Sequence, residues 1–563
     1  MRLVEVRLLE GPNVYRLEPV AKIEVAVGRR RTWYGVREPG RHAVVRLGAT
    51  VPRSAWPPPV RSMASWVRRL RGVAGPTEAS AGPIRAHRSS DPGHWILEFP
   101  YAGLERAQAI AEGGAELALR GIDPERSKAS AAHGGRLLDR LERRVREAAD
   151  DPPAWIRDAE RRIPVVSITG TNGKSTTTRL VTHILRLAEG RVGTTTSDGV
   201  YVDEALVDPG DWTGPGGAAE VLRRDDVDVA VLETARGGIL LRGVGYESNE
   251  ASVLTNVSSD HLDLQGVHTL PELAEVKATV CRMTRPDGWV VLNADDRYVA
   301  AVARGLRARV AWFSVARTPP ARVRRAVIGG GRAYVVRDAA LVELEGDRVR
   351  PIANVDDVPI TFGGFARHNV ANALAASGAA RALGATLEQV AAGLRDFRPS
   401  SDLSPGRLNV FRVGASLVVV DFAHNEAGLN AVLDVAEGLA STEGAADRLP
   451  ITVVVGTAGD RPDDTLRGLG RIAARRADRV AIKETRKYLR GRTAASVLGE
   501  LREGIAEVLG REAARAVNVH ESEPAALRAE LARSEPGLIV LLCHEDRDAV
   551  FETLQELGGV AFA

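Results

Sequence analysis

The clearest chemical signature in this sequence is a glycine-rich loop that ends in a lysine and two hydroxyl side chains. The loop consists of Gly170, Thr171, Asn172, Gly173, Lys174, Ser175 and Thr176. A β-branched run, Val165–Ile168, precedes it, and helical spacing of apolar residues continues through Ile184. At such a junction the backbone N–H groups and the helix dipole favour phosphate, and the lysine reaches the outer phosphates. Ile168 replaces the first glycine of the strict G-x-x-x-x-G-K-[ST] pattern, but the flanking strand and helix still predict a phosphate site.

Carboxylate, hydroxyl and imidazole side chains follow two other strand-like runs. Glu233 comes directly after an apolar run and before a Gly-Gly turn, and Ser175 offers a hydroxyl at the start of the predicted helix. His261 follows a second run and is flanked by Asp260 and Asp263. Polar residues at the carboxyl ends of parallel strands are well placed to bind magnesium. A single histidine is more often structural, but its position here favours a ligand.

Lysine usage adds a second signal, because only six of the 76 basic residues are lysines. They are Lys22, Lys128, Lys174, Lys277, Lys483 and Lys487. A lysine that persists in an arginine-rich chain can mark a position where a compact, modifiable amine is needed. Lys277 lies in a predicted helix, Pro271–Met283, and would by itself be an ordinary helix-surface lysine.

The elements that would position these residues indicate an α/β protein of three domains, as the length suggests. Alternating strand and helix patterns predict a P-loop doubly wound central domain over 160–402, with a short strand at Val290–Leu292 and an antiparallel excursion within 310–360. The alternation restarts in 406–563, where we expect a smaller, Rossmann-like α/β domain whose strands include Ala516–Val519. Residues 1–155 show strand and helix patterns of a separate α+β domain, without a catalytic constellation.

Composition restricts the binding partners and the cellular compartment that we expect for this protein. The net charge is only +3, which gives no reason to expect nucleic acid or an anionic membrane as a partner. The longest apolar run near the end, Leu538–Cys543, is far shorter than a membrane span, and the first residues lack a signal-peptide pattern. Two cysteines form no disulfide framework or metal spacing. We therefore expect a cytoplasmic protein, and whether it forms a homo-oligomer stays open.

The motifs occur in the order found in the Mur ligase superfamily, which this sequence resembles. They are GTNGKST, the turn that bears Glu233, NVSSDHLD at 256–263, Lys277, NADD at 293–296, RHNVAN at 367–372, Gly406-Arg407, DFAHN at 421–425 and GTAGDR at 456–461. Within the superfamily, ETARGGIL, TNVSSDHL and an N-terminal GPN are most similar to the cyanophycin synthetases. About 150 residues precede the loop, so the ATP-grasp domain of those enzymes is expected to be absent.

The resemblance implies an ATP-dependent carboxylate–amine ligase that acts through an acyl phosphate and uses two magnesium ions. It implies that Lys174 contacts the outer phosphates. Ser175 and Glu233 would hold the first magnesium, and His261 and a carbamylated Lys277 the second. The implied nucleotide contacts are Gly170, Thr171, Asn172, Gly173, Lys174, Ser175, Thr176, Asn293, Asn369, Arg407 and Asp421. The implied substrates are an amino acid and a peptide-like or acidic acceptor.

Two other functional interpretations are open at this stage. One is a nucleotide-binding scaffold of the same fold without ligase turnover, and the other is a simple P-loop NTPase switch. The predicted second-metal residues and the C-terminal domain argue against the switch. The acceptor is not determined: the cations of Arg467–Arg492 form either a solvated surface or an attractive surface for an acidic substrate.

Overall fold

The computed structural model describes residues 1–28, 47–122, 134–188, 190–259, 262–443 and 448–562. Their contacts divide the chain into two compact units. The first unit contains the described residues of 1–170, 190–257 and 262–311. The second unit contains those of 171–189, 258–261 and 312–563.

The N-terminal part of the first unit is an antiparallel sheet packed on helices. Its elements are β1 (Arg2–Leu9), β2 (Val20–Ala26), α1 (Pro58–Ala74), α2 (Pro76–Ser80), β3 (Arg85–Arg88), β4 (His94–Pro100), α3 (Leu104–Leu119) and α4 (Gly134–Glu147). The strand order is β1-β2-β4-β3. Alternate residues such as Ile23 and Leu97 join the helix-facing apolar core, because successive side chains of a strand point to opposite faces. Lys22, Glu24 and Glu98 alternate with these core residues and are also buried.

The rest of the first unit is built on parallel strands. The elements from here to residue 302 are β5 (Val165–Thr169), α5 (Lys174–Leu187), β6 (Val192–Thr195), β7 (Gly199–Val202), β8 (Ala205–Pro209), α6 (Pro215–Leu222), β9 (Val229–Glu233), α7 (Arg236–Leu241), β10 (Asn249–Leu254), α8 (Leu270–Arg282), β11 (Thr284–Asn293) and α9 (Arg297–Val302). Helix α5 belongs to the second unit. The strand order is β11-β10-β5-β9-β6-β7-β8, and β11, β10, β5, β9 and β6 are mutually parallel. Strands β5 and β9 are buried along their whole length, as expected for strands covered on both faces.

Strand β12 (Arg309–Ser314) leads into the next part of the second unit. The elements that follow are α10 (Ala321–Ile328), β13 (Arg332–Arg337), β14 (Ala340–Glu345), β15 (Arg348–Asn354), α11 (Arg367–Ala382) and α12 (Leu387–Asp396). Strands β13, β14 and β15 form an antiparallel meander. This confirms the antiparallel excursion that the sequence predicts for residues 310–360.

The C-terminal part of the second unit is a second α/β sheet. Its elements are β16 (Asn409–Val413), β17 (Ser416–Asp421), α13 (Glu426–Glu443), β18 (Ile451–Val455), α14 (Asp463–Arg476), β19 (Arg479–Lys483), α15 (Ala494–Leu509), α16 (Arg511–Ala516), β20 (Val519–His520), α17 (Glu523–Leu531), β21 (Leu538–Leu542), α18 (Arg547–Glu556) and β22 (Val560–Ala561). The order is β20-β19-β18-β21-β17-β16-β22, with β16 antiparallel to both of its neighbours. Apolar cores cover both faces, which matches the continuous apolar runs of its strands.

Most predicted elements are present, with two informative differences. The sequence predicts a strand at Ala516–Val519, but Arg511–Ala516 is a helix and only Val519 begins a strand. Three alanines, two arginines and a glutamate, all good helix formers, explain that helix. The predicted strand at Val290–Leu292 is the inner part of a longer strand, Thr284–Asn293. Among the described residues, no helix is long and apolar enough to cross a membrane.

Candidate active site

The carboxyl ends of four neighbouring parallel strands of the first unit bring several predicted site residues to one edge of the sheet. Along the order β11-β10-β5-β9, these ends are Asn293, Leu254, Thr169 and Glu233, of which Asn293 and Glu233 are the two predicted site residues. The hydroxyl of Thr169 donates to the backbone carbonyl of Thr234, at 2.8 Å. Ligands of open parallel sheets bind outside such carboxyl ends. Asn293 and Glu233 therefore lie at the edge where ligands of such sheets bind.

Lys277 is buried at this edge and does not lie on a helix surface. It is 4% exposed, and its Nζ donates to the backbone carbonyl of Gly170 at 2.5 Å. Gly170 directly follows β5, at the start of the glycine-rich loop. The alternative of an ordinary surface lysine is therefore wrong. The structure brings the Lys277 amine to the strand end from which the loop begins.

The start of α8, the helix that carries Lys277, is fixed by its own cap and by the N-terminal part of the chain. Thr269 and Glu272 form a capping box. The Glu272 carboxylate accepts the backbone N–H of His268 at 2.9 Å and the hydroxyl of Ser90. The His268 ring contacts two carboxylates, Asp91 at 2.9 Å and Asp263 at 2.8 Å. These contacts hold the loop 262–269 in front of the helix.

We expect the stabilisation by His268 to depend on pH. Burial lowers the pKa of His268, but the hydrogen bonds and charges of Asp263 and Asp91 outweigh it and raise the pKa above the ordinary 6.5. A raised folded-state pKa stabilises the protein fully below pH 6.5, and the effect is lost as the pH rises through the raised value. His268→Gln should therefore lower the melting temperature most near pH 6 and progressively less at higher pH.

Asp263 provides the control for this measurement. Asp263→Asn keeps the imidazole but removes one of its two carboxylate partners, so the pH-dependent part of the melting temperature should shrink without vanishing. A difference between wild type and His268→Gln that stays constant from pH 5.5 to pH 9 would contradict the ion-pair explanation.

One group of metal-competent side chains in the described residues lies near this loop. Oxygen and nitrogen atoms of Glu24, Asp91 and His94 lie within 4.8 Å of one another. The Lys22 ammonium lies 2.9 Å from Glu24, and Asp91 also contacts His268. Cations of the protein itself thus compensate these carboxylates, and the group is explained as an ion-pair network.

Glu233, the last residue of β9, has the chemistry of a magnesium ligand. Its side chain is 3% exposed. It lines a small open concavity together with the hydroxyl-bearing Thr195, Thr213, Thr234 and Tyr246 and with seven glycine, proline or apolar residues. Carboxylate oxygens are ligands that magnesium prefers, and threonine hydroxyls of the same concavity are further oxygen donors. The residues present therefore fit a hard divalent cation at this strand end.

Asn293 and Asp296 fix the neighbouring strand ends. The Asn293 amide donates to the carbonyl of Thr255 at 2.8 Å. Asp296 accepts the backbone N–H of Val257 at 2.7 Å and also caps helix α9. The family resemblance implies a role for Asn293 alone, although Asp296 stands in the same NADD motif. A carboxylate directly before a helical pattern is an N-cap signal that could have identified it.

In the second unit, the glycine-rich loop leads into helix α5 as predicted. Gly173 has a φ of +81°, and a side chain there would place its Cβ 2.3 Å from Asn372 Oδ1. The helix begins at Lys174, whose ammonium donates to the carbonyl of Thr171 at 2.9 Å. Ser175 and Thr176 occupy its first turn, where backbone N–H groups have no partner within the helix. This arrangement fits phosphate, because it combines a helix N-terminus with a lysine.

Asparagine side chains hold this loop in place. Asn172 and Asn425 exchange two hydrogen bonds, with N···O distances of 3.0 and 3.3 Å. Asn372 accepts the hydroxyl of Thr177 at 3.3 Å and donates to Asn369 at 3.0 Å, and Asn369 is 3% exposed. The family resemblance implies that Asn369 contacts the nucleotide, and this stays a prediction. In the structure Asn369 accepts the hydrogen bond from Asn372 and so supports the loop. Asn172 and Asn425 are 253 residues apart, so no local pattern announces their pairing.

Arg407 and Asp421 lie together in the C-terminal part of the second unit. The Arg407 guanidinium lies over the Phe422 ring, 4.6 Å from its centroid. Asp421 accepts the backbone N–H groups of Leu408 and Ala423, both at 2.7 Å. Burial raises the pKa of Asp421, while Arg407 and these hydrogen bonds lower it, and the net shift is upward. The structure thus brings these two predicted residues to one turn.

His261 and its neighbour Asp260 lie outside the described residues, so the metal role of His261 stays a prediction.

Nine of the ten cations in Arg467–Arg492 pair with carboxylates. The pairs are Arg467–Glu500, Arg471–Glu507, Arg476–Glu437, Arg479–Glu535, Lys483–Glu523, Arg486–Glu484, Lys487–Asp546, Arg490–Asp460 and Arg492–Asp463. This neutralisation favours the interpretation as an ion-paired surface over an acidic-substrate surface.

Comparison with known proteins defines the class. Residues 168–380 match the Mur ligase middle domain, and residues 406–543 match the Mur ligase glutamate ligase domain. Across these residues the chain belongs to the Mur ligase family, as the order of its motifs predicts.

The resemblance to cyanophycin synthetases is also confirmed. The cyanophycin synthetase of Trichormus variabilis is 42% identical over 348 residues, which are 62% of this chain and 38% of that protein. The chain spans between 38% and 42% of the length of the cyanophycin synthetases it matches. The UDP-N-acetylmuramoyl-L-alanyl-D-glutamate–2,6-diaminopimelate ligase of Alkalilimnicola ehrlichii is 29% identical over 411 residues, or 71% of this chain and 74% of that protein.

Among solved structures, a bifunctional folylpolyglutamate synthase/dihydrofolate synthase from Yersinia pestis is similar in part. It is 19% identical, with a TM-score of 0.49 over 70% of this chain and 89% of that one. That protein was crystallised with AMPPNP and a manganese ion.

Proposed function

We propose that this chain is an ATP-dependent ligase that joins a carboxylate to an amine, adding an amino acid to a peptide-like or acidic acceptor. The observation that supports it most is the buried Lys277 amine on the carbonyl of Gly170, at the start of a phosphate loop. A simple P-loop NTPase switch would not need a buried lysine amine at the end of β5, next to the strand that ends in Glu233. The Mur ligase domains matched over 168–380 and 406–543 support the same function.

The residues would divide the work as follows. The backbone of Gly170–Thr176 and the Lys174 ammonium would neutralise the phosphates of ATP. Ser175 and Glu233 would hold one magnesium ion, and His261 and a carbamylated Lys277 a second. Asn293, Asn369, Arg407 and Asp421 would orient the nucleotide or the segments that touch it.

The chemistry would need charge neutralisation more than a protein nucleophile. ATP with its magnesium ions supplies an activated phosphoryl group that converts the acceptor carboxylate into an acyl phosphate. Attack by the amine then forms the amide bond and releases phosphate. The role of the chain's own residues is to align the two substrates and to exclude water, which would hydrolyse the activated acid.

The test is phosphate release by the purified chain with MgATP, each of the twenty amino acids and short acidic peptides. We expect release that requires both an amino acid and an acceptor, with one amide bond per phosphate by mass spectrometry. Glu233→Gln should abolish it, whereas Glu220→Gln, on the exposed side of α6, should not. Nucleotide binding without turnover under all conditions would favour the scaffold alternative.

A further inference from the structure

A fully buried ion pair in the second unit has no role in the chemistry described above. Lys483, the last residue of β19, and Glu523, the first residue of α17, have side chains only 0% and 1% exposed. Their Nζ–Oε1 distance is 2.6 Å. Breaking such a pair by removing one partner is costly, and apolar replacement of both is often tolerated. Stability alone therefore does not explain why charges occupy this position.

Glu523 organises the turn that follows β21. Its carboxylate accepts the backbone N–H groups of His544 and Asp546, at 2.5 and 2.8 Å. Burial raises the pKa of Glu523, but Lys483 and these backbone donors lower it by a larger amount. The net shift of the pKa is therefore downward. The group therefore stays a carboxylate and fixes the backbone of the turn that carries His544.

The Lys483 ammonium uses all three of its donors on three different acceptors. These are Glu523, the hydroxyl of Thr485 at 3.1 Å, and Nδ1 of His544 at 3.2 Å. A compact ammonium can serve three acceptors around one point, whereas a planar guanidinium cannot. Gly456 leaves room for the lysine, because a Cβ there would lie 2.7 Å from Lys483 Cε. This explains a lysine in a chain that otherwise uses arginine.

The contact with Lys483 determines the tautomer of His544. An ammonium offers no acceptor, so Nδ1 must accept and the ring proton must reside on Nε2. Nε2 then donates to the backbone carbonyl of Ala423 at 3.0 Å. Burial and the Lys483 charge both lower the pKa of His544 well below its ordinary value, which keeps the ring neutral.

Ala423 belongs to the turn 421–425, which reaches the phosphate loop. Asp421 and Asn425 flank Ala423 in that turn, and Asn425 exchanges two hydrogen bonds with Asn172. A continuous series of contacts therefore runs from Lys483 through His544 and the turn to the phosphate loop. Each of these contacts lies within the second unit.

We propose that Lys483, acting through the Nε2–H tautomer of His544, is a positioning residue that holds the 421–425 turn against the phosphate loop. This inference rests on the proposed ligase function for its kinetic consequences. The positioning itself is a property of the protein without nucleotide. A purely structural ion pair would affect stability and leave the turn in place.

Two substitutions of His544 separate these roles. His544→Phe keeps the aromatic packing on Phe422, whose ring lies 5.1 Å away, but removes both hydrogen bonds. His544→Gln supplies an amide N–H for the Ala423 carbonyl and an oxygen for Lys483. For the phenylalanine variant we expect kcat to fall by about 10²-fold, the scale associated with small misplacements, with KM for the amino acid unchanged. The glutamine variant should recover most of kcat.

Amide hydrogen exchange of the nucleotide-free protein gives a readout that does not depend on turnover. Peptides covering 421–425 and 170–174 should exchange faster in His544→Phe than in wild type or His544→Gln. This result in a chain that lacks ligase activity would refute the proposed function and leave the positioning role standing. Unchanged exchange in His544→Phe would overturn the positioning role. So would the finding that His544→Phe and His544→Gln lose the same fraction of kcat and the same number of degrees in melting temperature.

Discussion

Lys174→Ala is expected to abolish ligation while leaving the fold intact. The Lys174 ammonium makes its hydrogen bond to the Thr171 carbonyl within its own loop. It therefore contributes charge to the loop and little to the core. Removing one preorganised electrostatic donor typically costs about 10²–10³-fold in kcat, and a phosphate-binding lysine should lie at the upper end. The measurement is amino-acid-dependent phosphate release, together with the melting temperature.

A surface cation provides the control for Lys174. Arg162 has a side chain 87% exposed and pairs with an equally exposed Asp225. Such pairs contribute little to stability, so Arg162→Ala should keep both activity and melting temperature near wild type. Recovery of most activity in Lys174→Ala would show that the loop does not bind the reacting phosphates.

The sequence predicts the phosphate loop well, because its signal is local. The strand Val165–Thr169 and the helix Lys174–Leu187 follow from short-range periodicity, and the glycines between them match a known phosphate geometry. Strand ends such as Glu233 are also predictable, since they follow buried apolar runs. The features with local signatures therefore agree with the structure.

Contacts between distant segments could not be predicted in this way. Lys277 and Gly170 are 107 residues apart, and a helical pattern does not reveal which strand end a side chain will reach. The hydrogen bonds between Asn172 and Asn425 could not be predicted for the same reason, because 253 residues separate the two side chains. The sequence marks Lys483 as a rare lysine but places it among the cations of Arg467–Arg492, because burial at a strand end cannot be read from neighbouring arginines.

Lys277 is expected to be carbamylated. A neutral lysine amine adds CO₂ and releases one proton, and the resulting anion can ligate magnesium where an ammonium would be repelled. The carbamate nitrogen keeps one N–H, so the observed donation to the Gly170 carbonyl can persist in the modified state. Arginine cannot form this adduct, which agrees with a lysine at a 4% exposed position. Lys277→Ala should be nearly inactive and partly rescued by formate or acetate, and Lys277→Arg should be inactive.

Isotope labelling tests the modification directly. Protein equilibrated with ¹³C-bicarbonate should show one carbamate signal by ¹³C NMR, and Lys277→Ala should lose it. Lys22→Met is the matched control, because Lys22 is also buried but pairs with Glu5 and Glu24. Burial lowers the pKa of Lys22, but Tyr15 and those carboxylates raise it by more, and the net upward shift keeps the amine protonated, hence unreactive towards CO₂. A signal that survives in Lys277→Ala, or full activity in Lys277→Arg, would rule out a carbamate at this position.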